Sequence, residues 1–207
     1  MRITGGIWRG RRLAGPQAKG QSKGAGKGAA APIRPTSDRL RESLFNILAH
    51  GMGDPVSGAR VLDLFAGTGA LGLEALSRGA RFALLVDAGA EARALIRANV
   101  EALGCGGATR VFRRDATKLG AAPAGEKFGL AFLDPPYGKG LAGRALTSLH
   151  DGGWLAQGAL CVVEETGEAE LAAPAEFEAV DRRDFGGTQL LILRFGGVLP
   201  SASLSPS

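Results

Sequence analysis

The sequence predicts an α/β protein built on a doubly wound, mostly parallel sheet, and two observations lead to this prediction. Between residues 60 and 164, short apolar segments alternate with longer segments of helical periodicity. Such an alternation is typical of a parallel sheet that is covered by helices on both faces. A glycine-rich turn also follows the first apolar segment, at the place where doubly wound folds bind nucleotide ligands.

The pattern predicts seven strands and four helices. The strands cover residues 60–65, 82–87, 110–112, 128–133, 160–164, 177–184 and 189–195. The last two form an antiparallel hairpin around Gly186 and Gly187. The first helix begins at a cap on Thr36 or Ser37 and carries Leu40, Leu44 and Leu48 at four-residue spacing. The other helices run from the glycine-rich turn to about residue 78, from 91 to 103 with Leu95, Val100 and Leu103 facing inward, and from 141 to 149.

The two ends of the chain differ in composition from this central part. Residues 2–13 alternate loosely and contain glycine pairs, which predicts a small hairpin or an extended ribbon. Residues 14–32 consist mainly of Gly, Ala, Lys, Pro and Ser, which predicts a flexible, positively charged loop. Residues 197–207 predict a loose tail. We therefore expect a basic arm with its loop at residues 1–33 and a globular domain at residues 34–196.

Composition excludes several classes of protein. The chain has 207 residues, 45% of them hydrophobic, which suits one domain with a single core. No apolar stretch is long enough to cross a bilayer, and the N-terminus lacks the apolar core of a secretory signal, so we expect a cytoplasmic protein. Cys105 and Cys161 are too few for a disulfide framework or a structural zinc site. His50 and His150 have no metal-ligand spacing, so we expect no metal.

Positive charge is concentrated at the N-terminus. Residues 1–41 hold ten Lys and Arg against one acid, Asp38, for a net charge of +9, whereas the other 166 residues hold fifteen basic and nineteen acidic residues, for −4. Basic N-terminal arms commonly bind phosphate backbones, so this asymmetry favours a nucleic acid partner over a merely solubilising tail.

The glycine-rich turn predicts an adenosine-containing ligand. Gly67, Gly69 and Gly72 match the dinucleotide-binding spacing, and Asp87 lies twenty residues after Gly67, where an acid can accept hydrogen bonds from a ribose diol. Asp63 distinguishes between two ligands, because a carboxylate here would repel a pyrophosphate but would favour the cationic sulfonium of S-adenosylmethionine. The sequence therefore favours the methyl donor. The predicted cofactor residues are Asp63, Phe65, Gly67, Gly69, Asp87, Asp115 and Ala116, with Asp115 either accepting the adenine amine or remaining a solvated loop acid.

The chemistry is predicted to reside in residues 134–137, Asp-Pro-Pro-Tyr, at the carboxyl end of the fourth strand. Two consecutive prolines hold the backbone rigidly, so that the Asp134 carboxylate and the Pro135 carbonyl become acceptors in the crevice. Together they can hold both N–H bonds of an exocyclic base amine and aim its lone pair at the methyl group. Tyr137 offers a face for stacking on a base swung out of its helix.

Taken together, these features resemble the RsmD-type ribosomal RNA guanine-N2 methyltransferases over most of residues 1–195. The resemblance is carried by Arg2-Ile3-Thr4-Gly5-Gly6, Trp8-Arg9-Gly10-Arg11, Arg34-Pro35-Thr36, Asp38-Arg39, Arg41-Glu42, Leu44-Phe45-Asn46, the run from Asp63 to Gly79, and Asp134 to Tyr137. The two N-terminal signatures are the most specific of these. In one respect the chain departs from the family, because its segment between Leu13 and Pro32 is longer and richer in Lys and Gly.

The resemblance implies a class I methyltransferase fold with a seven-stranded sheet and S-adenosylmethionine as cofactor. It also implies, as substrate, the N2 amine of one guanine in 16S ribosomal RNA, in the small subunit or its assembly intermediate. We expect a monomer, with Asp134, Pro135 and Tyr137 at the catalytic centre. The predicted RNA contacts are Arg2, Trp8, Arg9, Arg11, Arg12, Arg34, Arg39 and Arg41.

Three alternatives remain at this stage. An adenine-N6 methyltransferase acting on DNA or RNA would use the same acceptor motif, because its substrate is also an exocyclic amine. A nicotinamide-dependent oxidoreductase would use the glycine turn but leaves Asp63 and the double proline unexplained. An RNA-binding or assembly protein with an inactive methyltransferase fold would also account for the basic arm.

Overall fold

One sheet of seven strands forms the centre of the molecule. The computed structural model describes residues 1–16, 38–137, 139–166 and 171–196. The strands are β1 (Arg60–Leu64), β2 (Phe82–Val86), β3 (Thr109–Phe112), β4 (Phe128–Leu133), β5 (Leu155–Thr166), β6 (Phe177–Phe185) and β7 (Thr188–Phe195). The helices are α1 (Asp38–Gly51), α2 (Ala70–Ser77), α3 (Ala90–Leu103) and α4 (Leu141–Asp151).

The strand order is β3-β2-β1-β4-β5-β7-β6. The first five of these strands are parallel, and β7 lies antiparallel between β5 and β6. The chain enters the sheet at β1, winds outward to β3 and then returns to β4 on the other side of β1. The carboxyl ends of β1 and β4 therefore form the topological switch point, where open sheets of this kind bind ligands. The predicted fold class, including the closing hairpin, is confirmed.

Two apolar layers cover the sheet. On one face, Val61, Leu85 and Phe132 pack with buried residues of α1, α2 and α3. On the other face, Leu62 and Ala131 belong to a cluster that includes α4. In the described residues, no helix combines the length and the apolar character that a membrane span needs.

Two details of the predicted elements are wrong. Strand β5 begins at Leu155 instead of residue 160, because Leu155 already pairs with Phe128. An irregularity in the register follows this pair, and the exposed residues there interrupt the apolar pattern from which the strand was predicted. In α3, Leu103 is buried as predicted, but Leu95 and Val100 are only half-buried, and the other buried positions are Ala92, Arg93, Ile96 and Asn99. The helix therefore turns a polar side chain inward, which a search for apolar periodicity does not detect.

The first thirteen residues form a narrow hairpin, as predicted. Arg2 and Arg12 form an antiparallel bridge, and a 3-10 turn at Gly6–Trp8 closes the hairpin. Ile3 is fully buried and Leu13 is 7% exposed, and both belong to the core cluster under α2. The arm is thus part of the packed structure. The predicted helix cap at Thr36 or Ser37, most of the predicted flexible loop, the boundary at residues 33 and 34, and the tail lie outside the described residues.

Candidate active site

The turn after β1 has an unusual backbone. Gly67 and Gly69 have φ angles of 57° and 79°, in the left-handed region that glycine adopts without strain. Phe65, which lacks this freedom, has a φ of 58°. A bulky residue held in this region is a feature of ligand-binding and catalytic sites, where the surrounding structure compensates for the strain. The predicted cofactor residues Phe65, Gly67 and Gly69 therefore form one turn at the end of β1, with the backbone strain at Phe65.

Gly72 has a different role, in packing. A Cβ atom at this position would lie 2.3 Å from Leu85 Cδ2 and 3.2 Å from Asp63 Oδ2. Without a side chain at Gly72, the first turn of α2 can lie directly against β1 and β2. This is the close helix–strand contact that the third glycine of the dinucleotide-binding spacing provides.

Two carboxylates hold the glycine turn in place. Asp63 is 2% exposed, and its Oδ2 accepts a hydrogen bond of 2.9 Å from the Gly72 amide. Asp87, at the end of β2, accepts from the Gly67 amide at 2.9 Å and from the Gly89 amide at 2.7 Å. Asp87 therefore connects the end of β2 to the turn, near which its spacing of twenty residues from Gly67 predicted it to lie.

The edge of the sheet at this point is electronegative. Burial raises the pKa of the Asp63 carboxyl well above its usual value, and the charges of Asp134 and Asp87 raise it further, against the opposing effect of the Gly72 amide. A cation placed beside Asp63 would favour its ionised form. The site therefore suits a positively charged ligand and disfavours an anionic one.

Asp115 lies after β3 and is exposed. It caps the short 3-10 helix Ala116–Lys118, because its Oδ1 accepts from the Thr117 amide at 2.9 Å and from the Thr117 hydroxyl at 2.7 Å. These hydrogen bonds lower the pKa of the Asp115 carboxyl. Ala116 is buried in the core beneath it. The cap orients Asp115 at the carboxyl edge, whereas its contact with an adenine remains a prediction.

Residues 134–137 follow β4 at the same edge. Asp134 is half-buried, Pro135 is buried and Pro136 is exposed. Asp63 pairs with Phe132 across β1 and β4, so Asp134, two residues further on, lies on the same face of the sheet as Asp63. The strained turn, the two carboxylates that hold it and the predicted catalytic residues therefore meet at the switch point.

Tyr137 has a partner that the sequence analysis did not identify. Its hydroxyl donates a hydrogen bond of 2.7 Å to Oε1 of Glu164, near the end of β5. Burial raises the pKa of the Tyr137 hydroxyl, and the carboxylate of Glu164 raises it further, so that Tyr137 remains a neutral donor. Glu164 is 7% exposed. The signal that could have revealed it is a pair of acids, Glu164 and Glu165, directly after the buried apolar segment 159–163.

Comparison with known proteins assigns the chain to a family. Residues 1–194 match the family described as conserved hypothetical protein 95. The chain belongs to this family. Ribosomal RNA small subunit methyltransferase D of Escherichia coli (strain K12) is 42% identical over 164 residues, which cover 79% of this chain and 74% of the relative. The protein of the same name from Haemophilus influenzae is 30% identical and covers 90% of this chain and 89% of the relative. The resemblance to the RsmD-type family is confirmed.

Two solved structures have the same fold. The structure of yhhF from Escherichia coli matches with a TM-score of 0.76 and 32% identity, covering 96% of this chain and 99% of that one. The structure of HI0767 from Haemophilus influenzae matches with a TM-score of 0.71 and 27% identity, covering 94% and 97%. The match extends over the N-terminal arm as well as the sheet.

In this family member, the arm turns its arginines outward. The side chains of Arg2, Arg9, Arg11 and Arg12 are exposed, and Trp8 is half-buried. Arg11 also donates a hydrogen bond of 3.0 Å to the Ala102 carbonyl at the end of α3. In α1, Arg39 is exposed, and Arg34 lies outside the described residues. The exposed arginines are accessible to a polyanion, and their contact with RNA remains a prediction.

Arg41 requires a correction. Its side chain is fully buried, with ion pairs of 3.2 Å to Glu74 and 2.9 Å to Asp38, and it also donates to the Arg2 carbonyl. A buried guanidinium whose hydrogen bonds are made inside the protein is not available to phosphate groups. Arg41 therefore holds the arm against the helices instead of contacting RNA. The sequence pattern did not distinguish it from Arg39, because both belong to the same basic segment.

Glu74 is the acceptor at the centre of this cluster. It is fully buried in α2, where it accepts from the amides of Thr4 and Gly5 and from the Thr4 hydroxyl, each at 2.8 Å. Arg41 and Arg78 complete its coordination, the latter at 2.8 Å. One side chain of α2 thus binds the arm, α1 and the end of its own helix. The signal in the sequence is a lone acid among the apolar residues of α2.

Proposed function

We propose that this chain transfers the methyl group of S-adenosylmethionine to the N2 amine of a guanine in 16S ribosomal RNA. As a member of its family, it is an S-adenosylmethionine-dependent methyltransferase of ribosomal RNA. The observation that supports the proposed chemistry is the position of Asp134 and Pro135. Both follow β4 at the switch point, next to the glycine turn, and Asp134 lies on the same side of the sheet as the buried acid Asp63.

The residues present fit the cofactor. Gly67 and Gly69 carry no side chains, so that a ligand can approach the backbone closely at these two positions. Asp63 and Asp87 make this edge electronegative, and we infer that Phe65, Asp115 and Ala116 complete the site. When bound, S-adenosylmethionine supplies an electrophilic methyl group on a positively charged sulfur, which retains the electron pair of the broken carbon–sulfur bond.

Asp134 and Pro135 hold the nucleophile. The lone pair of an exocyclic purine amine is delocalised into the ring, so the amine is a poor nucleophile when planar. The Asp134 carboxylate and the Pro135 carbonyl accept its two N–H bonds, which favours a pyramidal nitrogen and orients the lone pair. Asp134 then accepts the proton that the methylated nitrogen loses. Positioning, rather than a strong base, supplies most of the rate enhancement.

Tyr137 positions the base. Its hydroxyl is anchored by Glu164 at 2.7 Å, so that the ring keeps one orientation at the edge of the sheet. An aromatic face fixed in this way can stack on a base that has been swung out of its helix. The hydrogen bond and the stacking use different parts of the side chain and are therefore compatible.

The arm supplies affinity for the substrate. The exposed arginines Arg2, Arg9, Arg11, Arg12 and Arg39 carry positive charge next to the methyltransferase core, and such charge binds phosphates without regard to sequence. Trp8 of the arm is proposed as a further RNA contact, as is Arg34, which lies outside the described residues. The proposed partner is 16S ribosomal RNA in the small subunit or in its assembly intermediate, because the Escherichia coli and Haemophilus influenzae relatives are named for the small subunit.

The test is transfer of labelled methyl groups from S-adenosylmethionine to small subunits that lack the modification, followed by nucleoside analysis. We expect N2-methylguanosine from the wild-type protein. The variant Asp134→Ala should lose at least about a hundredfold in kcat while it still binds RNA. Asp184→Ala, which removes an exposed acid of β6, serves as the matched control and should retain wild-type activity. N6-methyladenosine as the product, or an active Asp134→Ala variant, would contradict the proposal.

A further inference from the structure

We propose that Glu164 selects guanine over adenine by accepting the N1–H of the target base. This inference rests on the proposed function, because it concerns the base whose amine Asp134 and Pro135 hold. It assigns to Glu164 a role in specificity that is separate from the transfer of the methyl group.

The register of the sheet places Glu164 beside Asp134. In the parallel pair β4 and β5, Phe132 lies next to Val162 and Leu133 lies next to Val163. Strand β4 ends at Leu133, and continuing the same register by one position would bring Asp134 alongside Glu164, at the spacing of neighbouring strands, about 4.8 Å. Because side chains alternate along a strand, Val162 and Glu164 lie on the same face of β5, and Val162 packs in one cluster with Phe132. Asp134 and Glu164 therefore lie next to each other on the same face.

The structure holds the Glu164 carboxylate in a defined position. It is 7% exposed, and Oε1 accepts the hydrogen bond from Tyr137, which belongs to the same four-residue motif as Asp134. A buried carboxylate is unfavourable unless donors surround it, and the two oxygens of a carboxylate can accept several hydrogen bonds at once. The hydrogen bond from Tyr137 orients the Glu164 carboxylate before a substrate arrives.

Guanine presents hydrogen-bond donors that match the acceptors Asp134, Pro135 and Glu164. Its N1–H and its N2 amine are adjacent on one edge of the base, and both donate hydrogen bonds. With the amine on Asp134 and Pro135, the neighbouring N1–H is directed toward the next acceptor, which the sheet register identifies as Glu164. In adenine the corresponding ring nitrogen is an acceptor, so a carboxylate there would meet a lone pair and remain unpaired, which disfavours the wrong base.

The experiment compares guanine with 2-aminopurine at the target position. The analogue keeps the amine at C2 but has no hydrogen on N1. We expect the wild-type protein to prefer guanine by about a hundredfold in kcat/KM. In Glu164→Gln the preference should fall below about tenfold, because the amide can donate to N1 of the analogue. Cofactor affinity, measured separately by equilibrium binding, should remain within about twofold.

The neighbouring acid provides a matched control. Glu165 is also 7% exposed in β5 but lies on the opposite face, where its Oε1 accepts from the Thr166 amide. Glu165→Gln should keep the wild-type preference for guanine. If Glu164→Gln does not fold, Glu164→Asp, which retains the charge but withdraws it by one methylene, should also reduce the preference.

The outcomes separate this inference from the proposed function. A wild-type protein that methylates guanine, together with a Glu164→Gln variant that has the full preference for guanine over 2-aminopurine, would overturn the role of Glu164 alone. A loss of activity toward guanine and the analogue in equal proportion would also overturn it, because Glu164 would then only support Tyr137. A wild-type protein that modifies adenine instead would overturn the proposed function itself.

Discussion

At the residue scale, the acids along the carboxyl edge of the sheet have distinct roles that depend on their surroundings. Asp63 is buried, and its hydrogen bond to Gly72 orients the start of α2. Asp87 is half-buried and binds two backbone amides of the neighbouring turns. Asp115 is exposed and caps a 3-10 helix. Their spacing predicted that all three lie near one ligand, but their burial and partners appear only in the folded chain.

The buried acid makes cofactor binding dependent on pH. The pKa of Asp63 is raised in the folded protein, so the carboxyl takes up its charge only as pH rises through this higher value. Ionisation of a buried group is unfavourable, and Asp63 therefore reduces the stability of the free protein as pH rises from the ordinary aspartate value through the folded pKa. A cationic ligand stabilises the ionised form, so that binding releases a proton.

We therefore expect the affinity for S-adenosylmethionine to increase with pH in this window, by at most about tenfold per pH unit. Titration calorimetry between about pH 4 and about pH 8, in buffers of different ionisation enthalpy, measures both the affinity and the proton released. In Asp63→Asn, the affinity for S-adenosylmethionine should be lower and should no longer depend on pH in this window. The same pH profile in the variant and the wild type would exclude Asp63 as its origin.

At the scale of elements, α2 connects the cofactor turn to the arm. Its first residues follow the glycine turn, and Glu74 in its middle accepts hydrogen bonds from Thr4, Gly5 and two arginines. Asn99 of α3 makes a second connection, because its amide donates to the Thr68 carbonyl in the turn at 2.9 Å and to the Ala14 carbonyl in the arm at 3.1 Å. Arm and turn are thus held by the same two helices.

The cluster around Glu74 predicts a large effect of a small change. Glu74→Gln removes the charge that balances Arg41, whose side chain is fully buried. Because an uncompensated buried charge is costly, we expect the free energy of unfolding to fall by about 3 kcal/mol or more, as measured by urea denaturation. Glu101→Gln changes an exposed acid of α3 and should have an effect below about 0.5 kcal/mol. A similarly small effect of Glu74→Gln would show that Asp38 and the Arg2 carbonyl are enough to compensate the buried charge of Arg41.

At the scale of the whole molecule, one side of the basic arm packs into the core and the other side carries exposed positive charge. Ile3 and Leu13 are buried in the core, while the arginines of the same hairpin are exposed. Removal of the arm would therefore expose the core and deprive Glu74 of the donors of Thr4 and Gly5, in addition to removing positive charge. For this reason, substitution of the exposed arginines is a cleaner test of RNA binding than deletion of residues 1–32.

The variant with Arg9, Arg11 and Arg12 all changed to Ala should bind RNA more weakly at low salt. If each arginine contacts one phosphate, the slope of log affinity against log salt should become shallower by about 2 to 3 units. The corresponding triple substitution in the β6–β7 hairpin, at Arg182, Arg183 and Arg194, also removes three exposed charges and serves as the control. Equal changes in the two variants would argue against a dedicated role of the arm.

Local patterns in the sequence were sufficient for the architecture and for much of the site. Alternating apolar segments predicted seven strands, because burial on one or both faces imposes a period that the sequence must follow. The glycine turn and the Asp-Pro-Pro-Tyr motif were recognisable because their residues are consecutive, and the chemistry of a turn depends on its own residues. The basic arm was recognisable as a difference in charge between the two parts of the chain.

Only the tertiary structure decided what depends on contacts between distant segments. Arg39 and Arg41 are equivalent in the sequence, yet one is exposed and the other is buried against Glu74, which is 33 residues away. Glu164 is marked in the sequence only as one of two adjacent acids, and its hydrogen bond with Tyr137 forms because β5 lies beside β4. Burial and hydrogen-bond partners are set by packing between elements, and a linear pattern does not specify which distant residues a side chain meets.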